Sequence, residues 1–181
     1  MRVLKLTLLS LLALIVIALV AAIFVDGDIK YEKSVIINRP MEKVWLHVNS
    51  LSAINSWNPW INDDPDMKTT LQGVDGKAGA LFCWSSNKNS IGRGCEEIAF
   101  INAPERIEWN LKFTEPLKSE AQSYIQLHPG ADTSKTRVNW GFTGELPYPF
   151  RIIKWFTPVN KKIDKDFSKG LNSLKRLCEE K

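Results

Sequence analysis

Histidine and cysteine are scarce in this chain. Two histidines, His47 and His128, and three cysteines, Cys83, Cys95 and Cys178, occur in 181 residues. No CxxC spacing joins the cysteines, so ligand count excludes a Cys/His zinc site. Neither histidine has a recognisable carboxylate or nucleophile partner, and surface or packing roles are expected for both. An excess of one charge is also missing. The chain holds 24 Lys and Arg against 20 Asp and Glu. Without Arg2 and Lys5 the remainder stands at 22 against 20, too even and too dispersed for a nucleic-acid footprint. No internal repeat or low-complexity stretch is present, which excludes solenoids and arrays.

What is present falls into two materials. From Leu6 to Val25 there is no charge, and only Thr7 and Ser10 are polar. Twenty helical residues rise about 30 Å, the hydrocarbon thickness of a bilayer. A cleaved signal peptide would have a shorter apolar core followed by small residues. Val20-Ala21-Ala22 supplies the small residues, but Ile23-Phe24-Val25 continue the apolar run. Residues 1–25 are therefore expected to form an uncleaved single-pass anchor, and residues 26–181 one domain of ordinary size. Arg2 and Lys5 precede the span, which predicts that the domain lies outside the cytoplasm, although Lys30, Lys33 and Arg39 follow soon after.

Beyond the span, Lys30–Asn38 reads as a strand rich in β-branched residues. Pro40 suits the first turn of a helix, and Met41, Val44, Trp45 and Val48 form an amphipathic stripe. A short helical or irregular piece covers Leu51–Trp57. Asn58-Pro59 and Asp64-Pro65 predict extended or turning backbone. From Met67 to Thr143 the period is two. The strands predicted there are Met67–Gly73, Gly79–Ser85, Gly92–Ile101, Arg106–Phe113, Ser119–His128 and Thr136–Thr143, joined by turns rich in Gly, Pro, Asn and Asp. Ile107, Trp109, Leu111 and Phe113 alternate with polar residues, the pattern of an antiparallel sheet with one apolar face. Thr157-Pro158 then predicts a capped start for a helix of about 22 residues, roughly 33 Å long. Its stripe is Phe156, Val159, Ile163, Phe167, Gly170, Leu174 and Leu177. The fold class is α+β: a curved antiparallel sheet of about seven strands around one long C-terminal helix.

This order of elements resembles the helix-grip layout of the START-like (SRPBCC) superfamily. Val35–Trp45 (VIINRPMEKVW), Leu51–Trp60 (LSAINSWNPW), Pro104–Phe113 (PERIEWNLKF), Thr136–Gly144 (TRVNWGFTG) and Asp166–Leu174 (DFSKGLNSL) resemble its polyketide cyclase/dehydrase and lipid transport members. The resemblance covers about residues 28–178, with the pair Trp57/Trp60 as its most specific part. It implies a cavity between sheet and long helix, often used for hydrophobic ligands, and does not imply one reaction.

Aromatic residues are the main candidate chemistry. Trp57, Trp60, Phe82, Trp84, Phe100, Trp109, Phe113, Trp140, Phe142, Trp155 and Phe167 fall mostly on the inward parity of their elements. They either line an apolar pocket or fill a core. Glu96 shares parity with Ile98 and Phe100 and so points toward the apolar side, where it would orient a ligand or act as a general acid/base. A twisted or late-starting strand leaves it instead at the wet rim, the reading preferred from sequence. The residues expected to bind ligand are Trp57, Trp60, Phe82, Trp84, Glu96, Trp109, Trp140, Phe142 and Phe167, with Trp57 and Trp60 near the pocket mouth.

Asp63-Asp64-Pro65-Asp66 clusters hard oxygen ligands but lacks the spacing of a calcium loop, so a turn is expected and no metal or cofactor. Cys83 and Cys95 are equidistant from a loop centred near Asn89 and have the outward parity. In an exported domain they form a disulfide if their Cβ atoms meet, and otherwise remain free thiols, as Cys178 does. The lysines of the last helix are expected to be its solvated face, with Lys162–Asp166 as an i, i+4 pair.

The expected function is a membrane-tethered START-like domain that binds a hydrophobic small molecule or lipid, in a bacterial inner membrane. The alternatives are a cyclase, dehydratase or hydrolase acting on an apolar substrate, and a solid-core protein-interaction module of the envelope. The expected partners are the ligand and the membrane, and no nucleic acid.

Overall fold

The computed structural model describes residues 2–130 and 132–180. A first helix, α1 (Arg2–Ile23), precedes strand β1 (Asp28–Ile37) and three short helices, α2 (Met41–Trp45), α3 (Leu51–Asn55) and α4 (Pro59–Asp63). Six strands follow: β2 (Lys68–Gln72), β3 (Leu81–Ser85), β4 (Arg93–Asn102), β5 (Arg106–Glu115), β6 (Ser119–Pro129) and β7 (Thr136–Glu145). A 3-10 helix (Phe150–Trp155) leads into α5 (Val159–Glu179). The α+β helix-grip arrangement is as expected, within a few residues at each strand boundary. Helix α1 is long and apolar enough to cross a membrane.

The seven strands form one antiparallel sheet in the order β1-β7-β6-β5-β4-β3-β2. Alternation sets its two faces. Along β6, Ala121, Ser123, Ile125 and Leu127 are buried while Glu120, Gln122 and His128 are exposed. Helix α5 closes over the inner face and is stitched to β1 near its C-terminal end. There Lys175 Nζ donates to the Ile36 carbonyl at 2.6 Å, Arg39 Nε to the Cys178 carbonyl at 2.8 Å, and the Asn38 N–H to Glu179 at 2.7 Å. Near its start, Lys33 donates to Asp164 at 2.5 Å and Tyr31 donates to the same carboxylate.

Several expectations give way to local geometry. Phe100 does not face inward: a bulge at Ala99 shifts the register, so that Ile98 pairs with Trp109 but Phe100 with outward-leaning Glu108, leaving Phe100 47% exposed. Trp155 and Phe156 precede α5 and are exposed. Thr157 does not cap α5; its N–H bonds the Ile153 carbonyl at 2.8 Å and thereby ends the 3-10 turn. Within α5 the buried positions are Phe167, Gly170, Leu171, Leu174 and Cys178, while Leu177 lies outside. Eleven residues make about three whole turns, so Cys178 returns under Phe167 and Leu177 does not. Asn58-Pro59 starts a helix instead of extended chain: the Asn58 side chain accepts from the Trp60 N–H at 3.0 Å, with Pro59 at the first helical position.

Cys83 and Cys95 sit directly opposite each other on β3 and β4 and are joined as a disulfide. Cys178 is free and buried.

Candidate functional site

The site begins with a packing problem. Trp140 stands on the inner face of β7, under α5. Gly170 gives it room: a Cβ there would lie 2.7 Å from the Trp140 ring and 3.2 Å from Pro59. With that hydrogen in place, Phe167 stacks on Trp140 at 4.0 Å between centroids, and Trp57 and Trp60 meet it edge-on at 5.3 and 6.0 Å. The Trp140 indole N–H donates to Ser123 Oγ at 3.0 Å, and that hydroxyl donates to the Gly141 carbonyl at 2.8 Å. Trp140 is therefore satisfied in its polar group as well as packed.

Packing closes the C-terminal half of α5 onto the sheet but leaves a void beside its N-terminal half. The void has a volume of about 290 Å³, near the lower end of the roughly 300–1,000 Å³ usual for small-molecule sites. Trp60, Phe82, Trp84, Trp109, Trp140, Phe142 and Phe167 all line it, together with Glu96. Trp84 can lie across the wall because it covers Gly94, where a Cβ would come within 2.7 Å of its ring. The Trp84 ring also meets Phe113 edge-on at 5.7 Å. The opening is marked by the exposed lining residues, Ser90 on the β3–β4 loop and Lys162 on α5.

Trp57 is the one expected site residue that lies elsewhere. It is fully buried, and its indole N–H donates to the His47 carbonyl at 2.9 Å. That bond ties α3 back to the turn after α2, so Trp57 is core and not pocket mouth. Lys162 and Asp166 both border the cavity, and no ion pair joins them among the described residues. Nor do the aspartates around Pro65 converge. Asp63 pairs with Lys169, while Asp64 accepts from Ser86 and lies 3.9 Å from Lys88.

Glu96 corrects the sequence reading most directly. The rim position preferred for it is wrong: β4 holds regular pairing with β3 and β5 through this residue, so its parity is kept and only 5% of it is exposed. It sits between Phe82 and Leu111 across the strands. Burial pushes its carboxyl up to about 7; a hydrogen bond from Asn55 opposes this, and the charge of Asp75 adds to it. Asn55 Nδ2 donates to Glu96 Oε1 at 2.9 Å, and Asn58 Nδ2 donates to Asn55 Oδ1 at 3.0 Å. Asn58–Asn55–Glu96 is thus a directed polar chain in a largely apolar wall. Asp75 is itself fixed by accepting the Leu51 and Ser52 N–H groups at the start of α3, at 2.9 and 3.1 Å.

Asn55 and Asn58 were not anticipated as site residues. A signal was available for Asn55: Leu51, Ile54 and Asn55 share the buried face of α3, at helical spacings. An amide on an apolar stripe asks for a buried partner. Only the tertiary fold brings Glu96, 41 residues away, to meet it.

The geometry agrees with what the chain is similar to. The model of the family described as polyketide cyclase/dehydrase and lipid transport matches residues 28–179. No curated protein matches the chain. Among solved structures, a protein from Nitrosospira multiformis is 20% identical, with a TM-score of 0.59 over 81% of this chain and 93% of its own. Norcoclaurine synthase from Thalictrum flavum is 10% identical, with a TM-score of 0.65 over 87% of this chain and 97% of its own. Its complex with dopamine and hydroxybenzaldehyde is 9% identical, with a TM-score of 0.62 over 84% and 87%. Likeness at such identities speaks for the fold alone. Sheet, grip helix and the family match over most of the chain lead to one statement: the chain belongs to the polyketide cyclase/dehydrase and lipid transport family, within the START-like superfamily.

Proposed function

We propose that the protein is a membrane-tethered binding domain for an apolar molecule that carries at least one hydrogen-bond donor. The observation that carries this reading is the aromatic-walled cavity of about 290 Å³ between sheet and α5, with Glu96 in its wall. Burial of the ligand's apolar surface supplies affinity, at about 25 cal/mol per Å² before ordering costs. Orientation comes from Glu96, whose Oε1 is occupied by Asn55 and whose other oxygen remains for a ligand N–H or O–H. The family description, which includes lipid transport, is in keeping with this.

Residues 1–25 serve as the anchor and residues 26–181 as the binding domain. The domain lies outside the cytoplasm of a bacterial inner membrane. Arg2 and Lys5 before the span support that orientation. So does the Cys83–Cys95 disulfide, which suits an oxidising compartment. Native mass spectrometry of the full chain, released from membranes in mild detergent, should show a bound small amphiphile beyond detergent and bulk lipid. Protein that is empty, and whose tryptophan fluorescence ignores every amphiphile titrated, would defeat the reading.

A second reading is favoured by one observation, the buried Glu96 carboxyl in the cavity wall, which that burial pushes up to about 7. A group poised near neutrality suits acid–base catalysis on the bound molecule. A compound whose mass changes on incubation with the protein, but not with Glu96→Gln, would select this reading over simple carriage.

A further inference from the structure

The stretch between β7 and α5 exposes Tyr148, Phe150, Ile153, Trp155 and Phe156 together, with Trp155 62% and Phe156 80% exposed. An apolar surface of this density on an aqueous domain marks a contact. Its neighbour is α1. The Tyr148 hydroxyl donates to the Leu19 carbonyl at 3.3 Å. Lys154 Nζ donates to the carbonyls of Asp26 and Asp28, at 2.7 and 2.8 Å. The 3-10 helix is therefore strapped to the point where α1 ends. Leu19 lies about 6 Å along the helix axis from Ile23, the end of α1. In a spanning α1 that is the depth at which tyrosine and tryptophan rings settle, between hydrocarbon and headgroups. Phe24, also exposed, extends the same apolar region. Lys161 and Lys165, exposed on the first turns of α5, follow this segment in the chain, and basic side chains next to an interfacial segment favour anionic headgroups.

We propose that Tyr148–Phe156 is a second membrane contact: an interfacial aromatic segment resting in the leaflet beside the α1 exit. It rests on the reading of α1 as a span. Its consequence concerns ligand traffic. Ile163 and Lys162 border the cavity opening and follow Phe156 by about 10 Å of chain. A segment embedded beside α1 holds that opening against the lipid surface, so an apolar ligand can pass between bilayer and cavity without crossing water.

The test uses the full chain in phosphatidylcholine–phosphatidylglycerol vesicles, with a nitroxide label at one introduced cysteine per variant. Phe156→Cys reports on the segment and Leu12→Cys on the span. Thr133→Cys, exposed on the β6–β7 turn at the end of the sheet away from α1, is the aqueous reference. Accessibility to oxygen and to a water-soluble nickel chelate is read by electron paramagnetic resonance. The expected result is a label at position 156 that is several-fold less accessible to nickel, and more accessible to oxygen, than the label at 133. Lipid-like behaviour at 12 with water-like behaviour at 156 would overturn the contact and leave the anchor standing. Water-like behaviour at both would overturn the anchor and the contact with it. Trp155→Cys repeats the measurement one residue away, and both side chains are exposed enough for the variants to fold.

Discussion

At the scale of single residues, Glu96 decides most. A carboxyl whose folded value is raised to about 7 binds its proton more tightly in the folded than in the unfolded chain. Its stabilising share is fully present below its unfolded value, near the usual 4.3, and is lost as pH rises through about 7. Denaturant unfolding should therefore show the wild type losing on the order of 3 kcal/mol, relative to Glu96→Gln, between about pH 4 and about pH 8. A variant that follows the wild-type profile would place the raised carboxyl elsewhere. Gly170 is a second decisive residue. Gly170→Ala puts a methyl into the Trp140 ring, and overpacking of this kind costs about 1–3 kcal/mol. Equilibrium unfolding and the near-ultraviolet circular dichroism of Trp140 should both report it.

Elements act through the contacts they bring together. The β3–β4 hairpin carries Phe82, Trp84 and Glu96 to the cavity while Cys83 and Cys95 close its outer face. A disulfide across so short a loop is worth about 2–3 kcal/mol through the unfolded chain. The double variant Cys83→Ser/Cys95→Ser should unfold at correspondingly lower denaturant, while thiol labelling of unfolded, unreduced wild type should find Cys178 alone. The strands were legible because β6 and β5 alternate cleanly. Helix α4 was not, since Asn58-Pro59 reads equally as a turn or as cap and first helical residue, and the choice depends on Trp60 finding Trp140. The inward side of β4 was legible up to Ile98 and lost at Phe100, because a one-residue bulge is invisible to a period of two.

On the whole-molecule scale, the chain couples an apolar helix to a hollow domain. The sheet and α5 lie wholly within residues 28–179, so a chain starting at Asp26 should fold and unfold cooperatively in water. The full chain should instead sediment with membranes and resist extraction by alkaline carbonate. Ala22 and Val25 are buried against the domain in the full chain, so a modest loss of stability, about 1–2 kcal/mol, is expected for the shorter one.

Sequence by itself determined the division into apolar helix and domain, the seven strands and the long last helix, because these rest on local periods of hydrophobicity that no distant contact can alter. It also placed Cys83 opposite Cys95, since a hairpin's register follows from its loop. Only the tertiary structure decided that Trp57 is core while Trp60 borders a cavity, that Glu96 is buried against Asn55, and that Trp155 and Phe156 stand beside the end of α1. Each of those depends on which distant surfaces meet and how completely they fill the space between them. A period of two or 3.6 carries no information about that.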